Sequence, residues 1–260
     1  MIIALSAIVV VGLVAAVAVL WPRETDQVAA PSSSPSASAS ETRPETPSAT
    51  PTPTPTPTFD KEDRSIDDPS SIWVVVNKQR PLDPQNYAAP DLVQVPVKQQ
   101  NPTVLRQKVG DAVVAMFAAF KDETGLEMQN QSAYRPYDVQ VNVYNNWVAT
   151  KGQDYADSHS ARAGHSEHQT GLALDISAVP LKCPLEACFA DTPQGKWLAK
   201  NAYKWGFILR YPKGMDDITG YTFEPWHYRF VGKALAKEMR DTEVKTLEEF
   251  FGLPPAPDYK

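Results

Sequence analysis

Apolar positions along this chain fall into three regimes, and each predicts a different kind of structure. Ile2 to Trp21 is a run of twenty residues without a charge, long enough at about 1.5 Å per residue for one helix to cross a hydrocarbon layer of about 30 Å. Residues 31–58 show no apolar period at all. Beyond residue 59 the period switches repeatedly between helix and strand. Leu105, Val109, Ala112, Val113, Met116 and Phe120 recur at helical spacing and predict a helix from Pro102 to Lys121. A second helix is expected over 134–148, from Pro136 through Val141, Tyr144 and Val148, and a third from Thr192-Pro193 to Gly206. All three stripes are expected to face the core. Helical spacing returns at Leu235, Met239, Leu247 and Phe251 and stops at Gly252 and Pro254. Short strands are predicted at about 126–134, 172–177, 207–211 and 225–230. Residues 60–100 are rich in proline, with Trp73-Val74-Val75-Val76 the one strong strand candidate, so this segment is expected to wrap the surface. The sum is a single α+β domain over 59–260, a small antiparallel sheet with helices packed on one face.

The first two regimes address where the chain resides. Trp21 sits where interfacial aromatics are found, and the apolar run exceeds the 7 to 15 residues of a signal-peptide core, which favours an uncleaved anchor over 1–22. A cleaved signal peptide is the competing reading, supported by small residues such as Ala16-Val17-Ala18 and Val28-Ala29-Ala30. Residues 31–58 contain 8 prolines, 7 serines and 7 threonines. The Thr-Pro repeat favours extended polyproline II, so 23–58 is expected to be a disordered spacer whose proline-rich part reaches roughly 87 Å at most. The expectation is a single-pass membrane protein with its folded domain outside the cytoplasm.

Charge and cysteine content narrow the function. Of the net charge of −6, residues 1–58 carry −2, from Arg23 and Arg43 against Glu24, Asp26, Glu41 and Glu45. The remainder is acidic and offers no basic face for nucleic acid. Cys183 and Cys188 are the only cysteines. They are expected to form a disulfide, in keeping with an oxidising exterior, and two free buried thiols are the alternative. The chain is expected to be a monomer.

Candidate chemistry gathers in Ser166-Glu167-His168-Gln169-Thr170-Gly171-Leu172-Ala173-Leu174-Asp175 and Glu224-Pro225-Trp226-His227. A catalytic zinc needs three protein ligands and one open position, and His168, Asp175 and His227 make such a set. Asp175 is the lone carboxylate of an apolar strand, where an unpaired charge is costly unless a metal offsets it. Glu224 is left free to handle protons. Arg135 lies between a strand and Pro136, and its planar fork suits a terminal carboxylate or a developing oxyanion. Ser166 and Gln140 are candidates to bind substrate, although Ser166 could equally satisfy loop backbone. His159 and His165 belong to a polar loop and are expected not to ligate.

Ser166-x-His168-x-x-Gly171-x-Ala173-x-Asp175 with Glu224-x-x-His227 resembles the VanY-type D-alanyl-D-alanine carboxypeptidases, zinc metallopeptidases of the hedgehog/D-Ala-D-Ala peptidase fold group. The resemblance extends to Ser132-Ala133-Tyr134-Arg135, Lys196-Trp197-Leu198 and Gly206-Phe207-Ile208-Leu209-Arg210-Tyr211-Pro212, and covers about residues 72–235. Ala163 departs from it where proline is expected before Gly164. It implies zinc on His168, Asp175 and His227, Glu224 as general base and then acid, Arg135 as an anion-binding catalytic residue, and Ser166 on the substrate. The implied reaction removes the terminal D-alanine of peptidoglycan stem peptides. L,D-carboxypeptidase or endopeptidase activity on the same fold is the nearest alternative. A non-catalytic wall-binding module that keeps the metal is the alternative of another class, and Glu224 with Arg135 argues against it. A serine hydrolase using Ser166 is weaker, because no nucleophile-elbow glycines flank the serine.

Overall fold

The computed structural model describes residues 59–260, in the order β1 (Leu92–Gln94), β2 (Val104–Arg106), α1 (Gln107–Thr124), β3 (Glu127–Ser132), α2 (Tyr137–Lys151), α3 (Gln153–His159) and β4 (Ala173–Val179). The chain continues through α4 (Pro193–Asn201), β5 (Phe207–Leu209), α5 (Asp216–Thr219), β6 (His227–Phe230), α6 (Lys233–Asp241) and α7 (Leu247–Phe251). β1 and β2 form an antiparallel ribbon, and the main sheet runs β3-β4-β6-β5, antiparallel throughout. The expected α+β architecture is thus present, although helices pack on both sides of the sheet and not on one face alone. The anchor and spacer expected at 1–22 and 23–58 lie outside the described residues, among which no helix is long and apolar enough to cross a membrane.

Two apolar cores flank the sheet. The larger joins Val109, Val113, Met116 and Phe120 of α1 to Leu174, Ile176, Phe207 and Tyr228 of the sheet. The second gathers Trp73, Val75, Ile208 and Val231 with Leu235, Met239, Leu247 and Phe250 from the C-terminal helices. Alternation along β4 decides which face the site occupies. Leu174 and Ile176 enter the larger core, so Asp175 between them points to the other side.

Several elements differ from their sequence pattern, among them α3, which ends in His159 where a polar loop was expected. The first helix begins at Gln107, not Pro102, because Thr103 and Val104 favour extended backbone beside a proline and Val104–Arg106 pairs with β1. Trp73–Val76 alternates faces as a strand does, with Val74 and Val76 in one core and Trp73 and Val75 in the other, yet it joins no sheet. Side chains replace the missing ladder: Arg229 Nη2 donates to the carbonyls of Ile72 (3.1 Å) and Val74 (2.8 Å). In α2 only Gln140 is buried, while Val141, Tyr144 and Val148 are half-buried. That helix packs against α3 and turns Val143 and Trp147 toward a cleft, so its stripe is a wall and not core.

Cys183 and Cys188 form the expected disulfide, in the loop that follows β4.

Candidate active site

Strand register brings the candidate ligands together. Asp175 on β4 lies directly opposite His227 on β6 and is paired on its other side with Ser132 of β3. His168 comes from the short 3-10 turn Glu167–Thr170, which ends in the left-handed Gly171 (φ 67°). A Cβ at Gly171 would lie 2.8 Å from Leu92 Cδ2, so glycine serves both the turn and the close approach of β1. Ligand atoms of His168, Asp175 and His227 all lie within 4.8 Å of one another, and all three residues are buried.

Hydrogen bonding fixes which ring nitrogens face inward. His168 Nδ1 is 2.8 Å from the Ala133 carbonyl, to which it must donate, leaving the Nε2 lone pair 3.4 Å from Asp175 Oδ2. His227 Nε2 donates to Glu167 Oε2 at 3.3 Å, leaving the Nδ1 lone pair 3.2 Å from Asp175 Oδ1. Asp175 Oδ1 is buried without a hydrogen bond. Two neutral rings therefore turn acceptors toward a carboxylate, which only protons or a cation can reconcile. The 3.2 and 3.4 Å separations match the edge of a zinc tetrahedron, roughly 3.3 Å for bonds near 2.0–2.1 Å. The donor set and its spacing fit zinc.

Without a cation the conflict is met by protonation. Burial disfavours the imidazolium of His227, but the adjoining carboxylates of Asp175 and Glu167 outweigh it and push the ring up to about 9. Zinc must displace that proton. Zinc binding is therefore expected to release at least one proton at neutral pH, that of His227, and to weaken at least tenfold for each unit that pH falls below about 9, more steeply where Glu224 is ionised along with it, which titration calorimetry in buffers of different ionisation heat will show.

Glu224 stands beside the triad, its carboxylate 3.8 Å from His227 Nδ1. Burial, with the Asp175 charge behind it, raises Glu224 to about 8, against the pull of His227 and Arg135. A divalent cation at the triad would favour its ionised form. Arg135 lines the same cleft of about 350 Å³, together with Ser166, Tyr211, Tyr221 and Trp226. Its Nη1 donates to Gln140 Oε1 (2.8 Å) and its Nη2 to Ser132 Oγ (2.9 Å), while it forms no ion pair among the described residues. Burial works against the guanidinium charge, which Asp175 and Glu224 help to retain.

Gln140 corrects an expectation. It does not line the cleft: its carbonyl holds Arg135, and its amide donates to the Ala161 carbonyl (2.6 Å) and Ser160 Oγ (3.3 Å). Its place is behind the arginine. His165 turns its Nδ1 to the Asn77 carbonyl, and His159 stacks on Tyr155, so neither joins the triad.

The sequence pattern missed Glu167, which is fully buried. Its Oε1 accepts from Arg210 Nε (2.8 Å) and Arg229 Nη1 (2.9 Å) while Oε2 holds His227. Arg210 is paired in turn with Glu248, which Asn77 also contacts. The network is the outer support of His227. A larger cavity of about 490 Å³ near α4 and α6 contains no such cluster, so the chemistry belongs to the smaller cleft.

Known proteins resemble this chain over most of its described residues. The family model described as VanY, D-alanyl-D-alanine carboxypeptidase, matches residues 102–233. The putative carboxypeptidase YodJ of Bacillus subtilis (strain 168) is 45% identical over 192 residues, which is 72% of this chain and 69% of the relative. The solved structure of the LdcB LD-carboxypeptidase is 44% identical with a TM-score of 0.65, covering 71% of this chain and 87% of that one. A variant of the vancomycin-resistance D,D-pentapeptidase VanY, solved in complex with Zn(II), is 30% identical with a TM-score of 0.56, covering 69% and 98%. With a match spanning half the sequence and a relative covered over two thirds of its length, the chain belongs to the VanY family of D-alanyl-D-alanine carboxypeptidases.

Proposed function

We propose that the chain is a zinc-dependent D,D-carboxypeptidase that removes the terminal D-alanine from peptidoglycan stem peptides, with His168 Nε2, Asp175 and His227 Nδ1 as metal ligands. The observation that carries this reading is the inward-facing acceptor set at tetrahedral spacing, in one cleft with Glu224 and Arg135. Zinc held there would bring the pKa of a bound water to about 7 and polarise a peptide carbonyl. Glu224 takes the proton of the attacking water and passes it to the departing amine. Arg135 supplies fixed positive charge, aimed by Gln140 and Ser132. Ser166 contacts substrate from the cleft wall.

Arg135 serves either the terminal carboxylate or the oxyanion, and both uses predict a fall in kcat/KM of about a hundredfold or more for Arg135→Met. Steady-state kinetics separates them. A rise in KM assigns the charge to the carboxylate, and a loss of kcat assigns it to the oxyanion.

The second reading is L,D-carboxypeptidase activity, favoured by the 44% identity to LdcB. Purified residues 59–260, incubated with pentapeptide and tetrapeptide stems with and without a chelator, distinguish the two by product mass. Loss of one alanine from the pentapeptide, abolished by the chelator and restored by zinc, is expected. Loss from the tetrapeptide alone would establish the L,D reading, and no cleavage in either would leave a binding module. We propose further that 1–22 anchors the chain in the membrane and that 23–58 holds the enzyme, as a monomer, outside the cytoplasm. The uncharged N-terminal run and the Cys183–Cys188 disulfide support this placement.

A further inference from the structure

Beyond α7 the segment from Ala256 to Tyr259 forms a strap that reaches the wall of the cleft, although the family match ends at residue 233. Ala256 is buried, and its N–H donates to the Ile218 carbonyl of α5 (2.8 Å). A Cβ at the left-handed Gly220 (φ 82°) would lie 2.5 Å from the Ala256 carbonyl oxygen, so only glycine lets the strap come this close. The Pro257 carbonyl accepts from Lys78 Nζ (2.7 Å). Lys78 is buried and forms no ion pair among the described residues; that carbonyl and the ring faces of Tyr221 and Tyr259, at 5.1 and 5.6 Å, receive its charge. The strap is thus fixed on both sides of Tyr221. Tyr259 itself packs its ring 4.1 Å from the Arg162 guanidinium carbon and edge-on to His165 at 5.1 Å. Its hydroxyl accepts the Arg162 backbone N–H (2.8 Å) and lies 3.3 Å from the Tyr221 hydroxyl. Both neighbours lead to the site. Arg162 to His165 is the turn that enters Ser166 and His168, and Tyr221 is cleft wall, stacked 4.7 Å from Tyr211, which lies 4.9 Å from the ring of His227.

We propose that Tyr259 is a positioning residue of the active site: its hydroxyl ties the turn before Ser166 to Tyr221 and so sets where both stand in the cleft. This inference rests on the peptidase reading of the cleft. Tyr259 is not part of the cleft lining, so it acts through its two partners and not on the peptide. A group that shapes a reacting complex has little tolerance, since a displacement of about 1 Å can cost about a hundredfold in rate. Loss of one hydroxyl from the tie should shift Tyr221 and the turn by less than that, and the metal ligands, held by their own strands and bonds, should stay in place.

The test uses the zinc-loaded full chain and measures, for each variant, turnover of pentapeptide and tetrapeptide stems, zinc affinity, and amide exchange by NMR. Tyr259→Phe keeps the ring against Arg162 and His165 and removes only the hydroxyl. It is expected to lower kcat/KM about tenfold at unchanged zinc affinity. It should also speed exchange of the Gly164 and His165 amides, which bond to Gln169 Oε1 and the Arg162 carbonyl and not to Tyr259. Added to Tyr221→Phe, the same change should cost less than about twofold more, because the contact it removes is already gone. A kcat/KM within about twofold of the parent in Tyr259→Phe, or a full additional loss in the double variant, overturns the proposal, as does unchanged exchange in the turn. A parent chain that cleaves neither stem removes the peptidase reading, and the exchange result then decides the tie by itself: faster exchange sustains it and unchanged exchange overturns it.

Discussion

Glu224→Gln is expected to lower kcat by two to four orders of magnitude while zinc content, measured by atomic absorption, stays at one per chain. Glutamine matches glutamate in shape and keeps the cleft wall polar, so the local backbone, in which Glu224 N–H donates to the Tyr211 carbonyl and the His227 N–H to that of Glu224, has no reason to move. Only the capacity to take and return a proton is lost. Because the triad is complete without Glu224, the metal should remain. Retained turnover would assign the base elsewhere, and lost zinc would make Glu224 a ligand.

The second large effect is expected at Glu167. Glu167→Ala removes the shared partner of Arg210, Arg229 and His227, all buried, and leaves charge without compensation. Such losses cost about 3–5 kcal/mol, and freeing the ring of His227 should weaken zinc binding by about 10- to 100-fold as well. Urea unfolding of the metal-free protein reads the first effect and a competitive zinc chelator the second. If zinc affinity is unchanged, Glu167 serves the fold alone. The pH dependence follows from the same contacts. Burial alone would raise the Glu167 carboxyl, but the charges of Arg210 and Arg229 and its bond to His227 hold it well below the usual range. Its contribution is therefore fully present above the ordinary carboxylate pKa near 4.3 and is lost only as pH falls through the depressed folded value. The Glu167 carboxyl itself should accordingly add nothing to the change in the stability gap between pH 7 and pH 5.5, and any widening of the gap toward pH 5.5 reports His227, whose ring that carboxylate helps to keep protonated.

What could be read from the sequence was local or carried by spacing. Asp175 stood out because it interrupts an apolar strand, and the same spacing placed His168 one turn before it. The disulfide and the sheet strands were legible for similar reasons. Glu167 was hidden because its partners come from chain segments 43 and 62 residues away, a separation that no periodicity reports. One signal was available: Arg210 and Arg229 interrupt apolar strands as Asp175 does, in Phe207-Ile208-Leu209-Arg210-Tyr211 and Tyr228-Arg229-Phe230. Applying the argument about stranded charge to cations would have predicted a buried acid between them. Trp73–Val76 misled for the converse reason, since its alternation is real but its backbone bonds go to scattered partners, the Val75 N–H to the Ile66 carbonyl, the Val75 carbonyl to Arg80 and the Val74 carbonyl to Arg229 from the far end of the domain.

That last contact determines where the enzyme can be cut. The family match starts at residue 102, which invites expression of a shorter fragment from there. Arg229 would then lose the carbonyls of Ile72 and Val74 that occupy one end of its guanidinium, while the other end still steadies Glu167 and, through it, His227. Trimming the amino-terminal wrap would thus loosen a ligand more than 150 residues downstream, and the smallest portable version of this catalyst has to begin ahead of Ile72.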